Sequence, residues 1–226
     1  MPLCLMLALA GWPAISGAAA SRPAAQVVEE VLITTRDAIL GQAEALTADA
    51  EAAEKLMRET LVPRIDTRAT ARFVLGQKWQ QANEEQRDRF HAAFTRHVNA
   101  TYALLLHRFA DEVVNALKRV KLRTEIVREG EQTALVRAFF RLDDGPERQA
   151  RIHLHARNGE WLLFDAEYAG FSLLRIWQAE IQGRLRDQTL PALIEALKQR
   201  HTEQPPLASG RPPSGEGDSP HHSSTQ

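Results

Sequence analysis

The clearest indication of the fold is the stretch ARIHLHARNGEWLLFDAEY, residues 150–168. From 150 to 156 every second position is Ala, Ile or Leu, and the positions between them are Arg or His. This period of two predicts a β-strand with one apolar and one polar face. Asn158-Gly159 favours a tight hairpin turn, because both residues tolerate positive φ. The apolar run that follows, 161–168, therefore predicts a second, antiparallel strand.

The same alternation extends upstream. Residues 120–126 and 134–142 each alternate, and Asp143-Asp144-Gly145-Pro146 separates the second of them from the strand at 150. We predict four antiparallel strands joined by short connections. Helical patterns lie before this sheet, at 27–41, 48–61 and 66–75, and after it, from 173 and from 190. Asp66 stands where the N-cap of the third pattern belongs. Helices, then a meander, then helices indicate an α+β domain in which the sheet packs against several helices.

The longest helical pattern also has the clearest start. Asn83 and Gln86 form a capping-box pair, so we expect the helix to begin there. Large apolar residues then recur every three or four positions, at Phe90, Phe94, Val98, Tyr102, Leu105 and Phe109. This spacing predicts one continuous apolar stripe.

The two ends of the chain differ from this middle. Residues 1–20 have an apolar run followed by small residues, with Ala18 and Ala20 before Ser21, and we interpret them as a secretory signal peptide. The lone cysteine, Cys4, lies there, so the mature chain would have no disulfide and no thiolate site. Residues 202–226 are rich in Pro, Ser and Gly and predict a disordered tail, which leaves 21–201 as the domain.

Several classes of function are disfavoured. The 28 basic and 29 acidic residues nearly cancel, so no nucleic-acid partner is indicated. His153 and His155 share a strand face but lack a third ligand at metal-binding spacing, so no metal is expected. The plausible acid–base pair is Asp165 with Tyr102, and we favour a structural role for Asp165 in the turn that follows it or at the helix near Ser172.

The landmarks together resemble the N-terminal signature of the MlaC (toluene-tolerance) family. They are Pro63-Arg-Ile-Asp66, Leu75-Gly76, Trp79, Glu85-Gln86, Phe90, Phe94 and Tyr102. The hairpin end is similar too, with Gly159-Glu-Trp-Leu-Leu-Phe-Asp165 followed by Gly170-Phe-Ser-Leu173. The likeness covers roughly residues 25 to 200.

This resemblance implies a monomeric, periplasmic phospholipid carrier and not an enzyme. A strongly curved sheet and the helices over it would enclose the acyl chains, and the bound phospholipid would be the ligand in place of a cofactor. The family's partners are an outer-membrane lipoprotein complex and an inner-membrane ABC transporter, between which it ferries lipid to maintain outer-membrane lipid asymmetry.

A carrier needs an apolar cavity, and the inward-facing residues would line it. We predict lipid contacts from the long helix and from the strands, at Phe94, Val98, Tyr102, Leu105, Val136, Phe140, Leu142, Ile152, Leu154 and Leu163. The small residues Ala134, Ala138, Ala150 and Ala156 would leave room, although alanine is also typical where a helix packs closely on a sheet. A hopanoid-type carrier, a small-molecule isomerase on a cone-shaped fold and a non-lipid adaptor remain the alternatives.

Overall fold

A computed structural model of the protein describes residues 22–199. The predicted signal peptide and tail lie outside this range. The α-helices of the described part are α1 (Ala24–Gly41), α2 (Ala43–Ala48), α3 (Ala50–Thr60), α4 (Thr67–Leu75), α5 (Gln77–Gln81), α6 (Glu84–Arg108), α7 (Ala110–Leu117), α8 (Leu173–Asp187) and α9 (Leu190–Lys198). None of these helices is long and apolar enough to cross a membrane.

The strands form one antiparallel sheet in sequence order. They are β1 (Val120–Glu129), β2 (Thr133–Leu142), β3 (Arg148–Arg157), β4 (Glu160–Tyr168) and β5 (Phe171–Ser172). The mixed helix-and-sheet prediction is confirmed, but the number of strands was wrong, since there are five and not four. β5 has two residues, which is too short for any alternation to be visible in the sequence.

Two tight turns set the registers of β3, β4 and β5. Asn158 and Gly159 have φ of 53° and 81°, as the hairpin prediction requires. Ala169 and Gly170 have φ of 50° and 82° and fold the chain back, so that Tyr168 pairs with Phe171. The second turn explains β5, because a two-residue turn with positive φ joins neighbouring antiparallel strands.

The sheet is bent at two β-bulges. On β1, Ile126 pairs with Val136 and Arg128 pairs with Leu135, which leaves Val127 as the extra residue. Between β3 and β4 the register also shifts, and Phe164 is the extra residue between Leu163 and Asp165. A bulge bends its strand and increases the local twist, so these two positions account for an open, curved sheet.

Helix α1 lies across one face of the sheet. We call the strand residues beneath it, Ala134, Val136, Ala138, Ile152 and Leu154, the covered face. They form a buried cluster with Ala24, Val27 and Val28 of α1. Leu154 and Val136 are fully buried, so this part of the sheet is an ordinary close-packed core.

The other helices pack on one another and on β4. α4 and α8 cover β4, and α6 packs against α3, α4 and α9. The Asn83–Gln86 capping box that starts α6 is present, with both reciprocal hydrogen bonds formed. The helix predicted over 48–61 is present as α3, and it begins at Ala50 because Asp49 is extended and caps it.

The segment between α3 and α4 covers the free edge of β4. Ile65 forms a parallel bridge with Leu163, and the Asp66 amide donates to the Leu163 carbonyl at 2.8 Å. The Asp66 side chain also caps α4 through the Ala69 amide, as the sequence predicted. This short segment therefore fixes α4 against the bulged part of β4.

Candidate functional site

An apolar cavity of about 700 Å³ lies between β4 and the helices. Its wall is almost entirely apolar and is contributed by α1, α3, α4, α6, α7, β4 and α8. Phe109, which is 46% exposed, lies on this wall, so we place the rim of the cavity there. Most of the other wall residues are buried or half-buried. A space of this size and lining suits a flexible hydrocarbon.

Helix α6 forms the longest side of the cavity. Its 25 residues extend over about 37 Å, at 1.5 Å per residue. Phe94, Val98, Tyr102, Leu105 and Phe109 all lie on the wall. Steps of three and four place such residues on one helix face, so the predicted stripe faces the cavity from Phe94 onward, and only Phe90, at its start, lies in the core alone.

Trp177 of α8 anchors this wall. Its ring packs edge-on against Phe94 and Tyr102, with ring centroids 6.0 and 6.2 Å apart, and its Nε1 donates to the Tyr102 hydroxyl at 3.1 Å. Burial raises the pKa of Tyr102, so the hydroxyl remains protonated at neutral pH. The pair thus holds a neutral polar group in an apolar wall.

Asp165 holds β4 and the start of α8 together behind the same wall. Its carboxylate accepts hydrogen bonds from the Ala166 amide, the Ser172 hydroxyl and the Leu174 amide, at 2.8, 2.6 and 3.0 Å. Ser172 in turn caps α8. The structural role favoured from the sequence is therefore present, and it positions Leu173 and Leu174 on the cavity wall.

A polar cluster lies on the other side of β4. Arg157 donates to the buried Asp66 carboxylate at 3.0 Å, and His155 lies 3.8 Å from the other carboxylate oxygen. His155 also stacks on Phe164, a wall residue, with ring centroids 4.0 Å apart. Partial burial lowers the pKa of His155, so we expect a neutral imidazole at pH 7.

The polar wall residues include groups without partners. Thr70 donates to the Thr67 carbonyl, and the Thr67 hydroxyl bonds to His91 at 2.9 Å. By contrast, three buried oxygens of the wall have no hydrogen-bond partner among the residues that the structure describes, namely Oγ1 of Thr35, Oγ1 of Thr95 and Oδ1 of Asn99. Within residues 22–199 no three His, Cys, Asp or Glu side chains are grouped so as to hold a metal ion.

The structure brings half of the predicted lipid contacts together. Phe94, Val98, Tyr102, Leu105 and Leu163 all line the cavity. Val136, Ile152 and Leu154 lie instead in the covered face, where α1 fills the space above them. Phe140 contacts the Tyr168 ring, and Leu142 is 42% exposed at the end of β2.

Sequence reasoning missed much of the helical wall. Ile39 of α1, Met57 of α3, Val113 of α7 and Trp177 of α8 line the cavity but were assigned no ligand role. The helices that carry Ile39, Met57 and Trp177 were predicted from apolar periodicity, whereas α7, which carries Val113, was not. Which helix covers the sheet and which borders open space depends on long-range packing, which periodicity does not encode.

Comparison with known proteins agrees with this architecture. A phospholipid-binding protein from Ralstonia solanacearum, solved in complex with a phospholipid, superposes with a TM-score of 0.61 at 18% sequence identity, over 78% of this chain and 95% of that one. This similarity concerns the fold. No protein with a curated description matches the chain. The family model of the MlaC protein matches residues 29–199, and the chain therefore belongs to the MlaC family.

Proposed function

We propose that this protein is a periplasmic phospholipid carrier that moves lipid between an outer-membrane and an inner-membrane complex and does no covalent chemistry. The observation that carries the proposal is the apolar cavity of about 700 Å³ in a chain of the MlaC family. The phospholipid bound to the Ralstonia relative supports the same ligand class. The secretory signal predicted at 1–20 supports the compartment.

The energetics favour an occupied cavity. At about 24 cal/mol per Å³, 700 Å³ of empty apolar space would cost up to about 17 kcal/mol. This upper bound exceeds the free energy of unfolding of an ordinary domain. Burial of each methylene contributes about 0.8 kcal/mol, so one 16-carbon chain contributes on the order of 10 kcal/mol. Acyl chains are therefore the natural contents.

An isomerase would need an acid and a base that are free to exchange protons. The carboxylate of Asp165 is already engaged by three donors that hold the start of α8. Burial raises the pKa of Tyr102 above the ordinary value for a phenol, which makes it a poorer acid near neutral pH. The arrangement favours a binding site over this acid–base pair.

The test is lipid extraction from the full chain, exported to the periplasm and purified without detergent. We expect phospholipid at one or more molecules per protein, and transfer of labelled phospholipid between two vesicle populations when the protein is added. Protein that is folded but free of lipid would contradict the proposal. A hopanoid in the extract, without phospholipid, would reassign the cargo.

A further inference from the structure

The hydroxyl of Tyr102 has a hydrogen that no described residue accepts. Trp177 Nε1 donates to the Tyr102 oxygen at 3.1 Å. An indole nitrogen only donates, so the oxygen is the acceptor in this contact and its own hydrogen must point elsewhere. Within residues 22–199, this contact is the hydrogen bond that the Tyr102 hydroxyl makes.

Other polar atoms of the wall are either engaged or inaccessible. The Asp165 carboxylate is held by its three donors, and the hydroxyls of Thr67 and Thr70 are hydrogen-bonded. The unpartnered oxygens of Thr35, Thr95 and Asn99 are buried beneath the wall surface. Tyr102, in contrast, is only half-buried and lines the cavity. Its hydrogen is therefore available to the contents of the cavity.

The position of Tyr102 fits a particular part of a lipid. It lies seven residues from Phe109 at the rim, or about 10 Å along the axis of α6. The carbonyl of an acyl ester is the hydrogen-bond acceptor at the junction between hydrocarbon chain and polar headgroup. At this depth the headgroup would reach the rim, while the chain continues toward Phe94. A donor without an acceptor is costly in an apolar site, so a carbonyl there is favoured over a methylene.

We propose that Tyr102 is a specificity-determining donor that hydrogen-bonds an acyl-ester carbonyl of the bound lipid, so that the cavity selects ester-linked over ether-linked lipids. This inference rests on the proposed function, because it requires a lipid in the cavity. Burial raises the pKa of Tyr102, so the donor is retained across the physiological pH range. Trp177 is a positioning residue, because it fixes the orientation of the hydroxyl without needing to contact the ligand.

The test is a competition between two lipids that differ only in linkage. The full chain is incubated with vesicles that contain equal amounts of a diacyl and a dialkyl-ether phosphatidylglycerol of the same chain length, then re-isolated and analysed by mass spectrometry. For the wild type we expect ester enrichment of about twofold to tenfold, the range of one neutral hydrogen bond. For Tyr102→Phe we expect a ratio near one in the lipid that is recovered with the protein. The control Tyr168→Phe makes the same substitution at an exposed tyrosine outside the cavity and should keep the wild-type ratio.

An infrared measurement provides a second readout that needs no variant. With a ¹³C-carbonyl diacyl lipid bound to the wild-type protein, a hydrogen-bonded carbonyl band should appear at lower frequency than the band of the lipid in dry apolar solvent. A wild-type ratio near one, an enrichment that survives in Tyr102→Phe, or an unshifted band would overturn the inference while leaving the carrier function intact. Capture of neither lipid would overturn the proposed function and this inference with it.

Discussion

The covered face and the cavity wall are both apolar and both include large aliphatic side chains, but only the covered face is closely packed. On the covered face, α1 brings Ala24, Val27 and Val28 into contact with the strands and leaves no space. At β4, next to the bulge at Phe164 and the turn into β5, the helices border an open cavity of about 700 Å³.

The alanines of the sheet explain the difference. Ala134 and Ala138 are 3% and 4% exposed and lie directly beneath α1. Small side chains allow a helix to approach a sheet closely, and this is the alternative that the sequence left open. Alanine on these strands therefore marks a packed contact, whereas the cavity is bordered by larger residues on elements that are held apart.

The largest expected difference concerns truncation of a leucine in each region. Leu154 is fully buried, so Leu154→Ala should lower the free energy of unfolding by about 2–5 kcal/mol. Leu105 already borders open space, so Leu105→Ala should cost less than the lower end of that range. Urea denaturation of both delipidated variants measures this. Equal losses would show that the two regions are packed alike.

A second prediction concerns the joint between β4 and α8. Asp165→Ala removes the acceptor of three hydrogen bonds and should cost about 1.5–3 kcal/mol, the range for one hydrogen bond to a charged group. Because the start of α8 would no longer be held to β4, Leu173 and Leu174 would be less well positioned on the cavity wall, and lipid retention should fall as well. Asp165→Asn keeps an acceptor for the two amides and is the matched control. Unchanged stability in Asp165→Ala would contradict the structural role of this carboxylate.

Overpacking provides the converse comparison. Ala138→Leu places extra volume beneath α1 and should destabilise the protein by about 1–3 kcal/mol. Val98→Leu adds volume next to open space and should leave the unfolding midpoint nearly unchanged. Thermal melts of the two variants distinguish these outcomes. If Ala138→Leu were tolerated as well as Val98→Leu, the close approach of α1 would be refuted.

The weakest effect is a pH dependence from two partly buried histidines, His91 of α6 and His155 of β3. Burial lowers the pKa of His91 and His155 in the folded state, while an unfolded histidine titrates near about 6.5. The unfolded chain therefore binds more protons in this range. Their contribution to stability is present above about pH 6.5 and is lost as the pH falls toward the folded values.

The measurement is the urea midpoint of the wild type and of His155→Gln at pH 7.5 and pH 5.5. The loss between the two pH values should be smaller in the variant, because one of the two titrating groups is gone. An equal loss in both proteins would show that His155 does not contribute.

Local signals in the sequence predicted local structure well. The cap at Asp66, the capping box at Asn83 and the turn at Asn158-Gly159 are all confirmed, because each depends on a few neighbouring residues. The stripe on α6 placed Phe94, Val98, Tyr102 and Leu105 on the cavity wall. β5 was not predicted, because two residues are too few to show an alternation of apolar and polar side chains.

Of the six strand residues predicted to contact lipid, only Leu163 lines the cavity, for a physical reason. Periodicity tells which strand face is apolar but not what covers it. Val136, Ile152 and Leu154 face inward as expected, yet α1 and not a cavity lies above them. The bulge at Phe164, which brings consecutive residues of β4 to the wall, depends on pairing with β3 and has no signature in the alternation.

Native mass spectrometry of the exported protein, purified without detergent, shows directly whether the cavity holds phospholipid. The wild type should carry adducts at phospholipid masses. Leu105→Trp, which fills the cavity, should lose them, and Leu142→Trp, at an exposed position outside the cavity, should keep them. A folded wild type without adducts, or adducts that survive in Leu105→Trp, would contradict the assignment of this cavity as the lipid site.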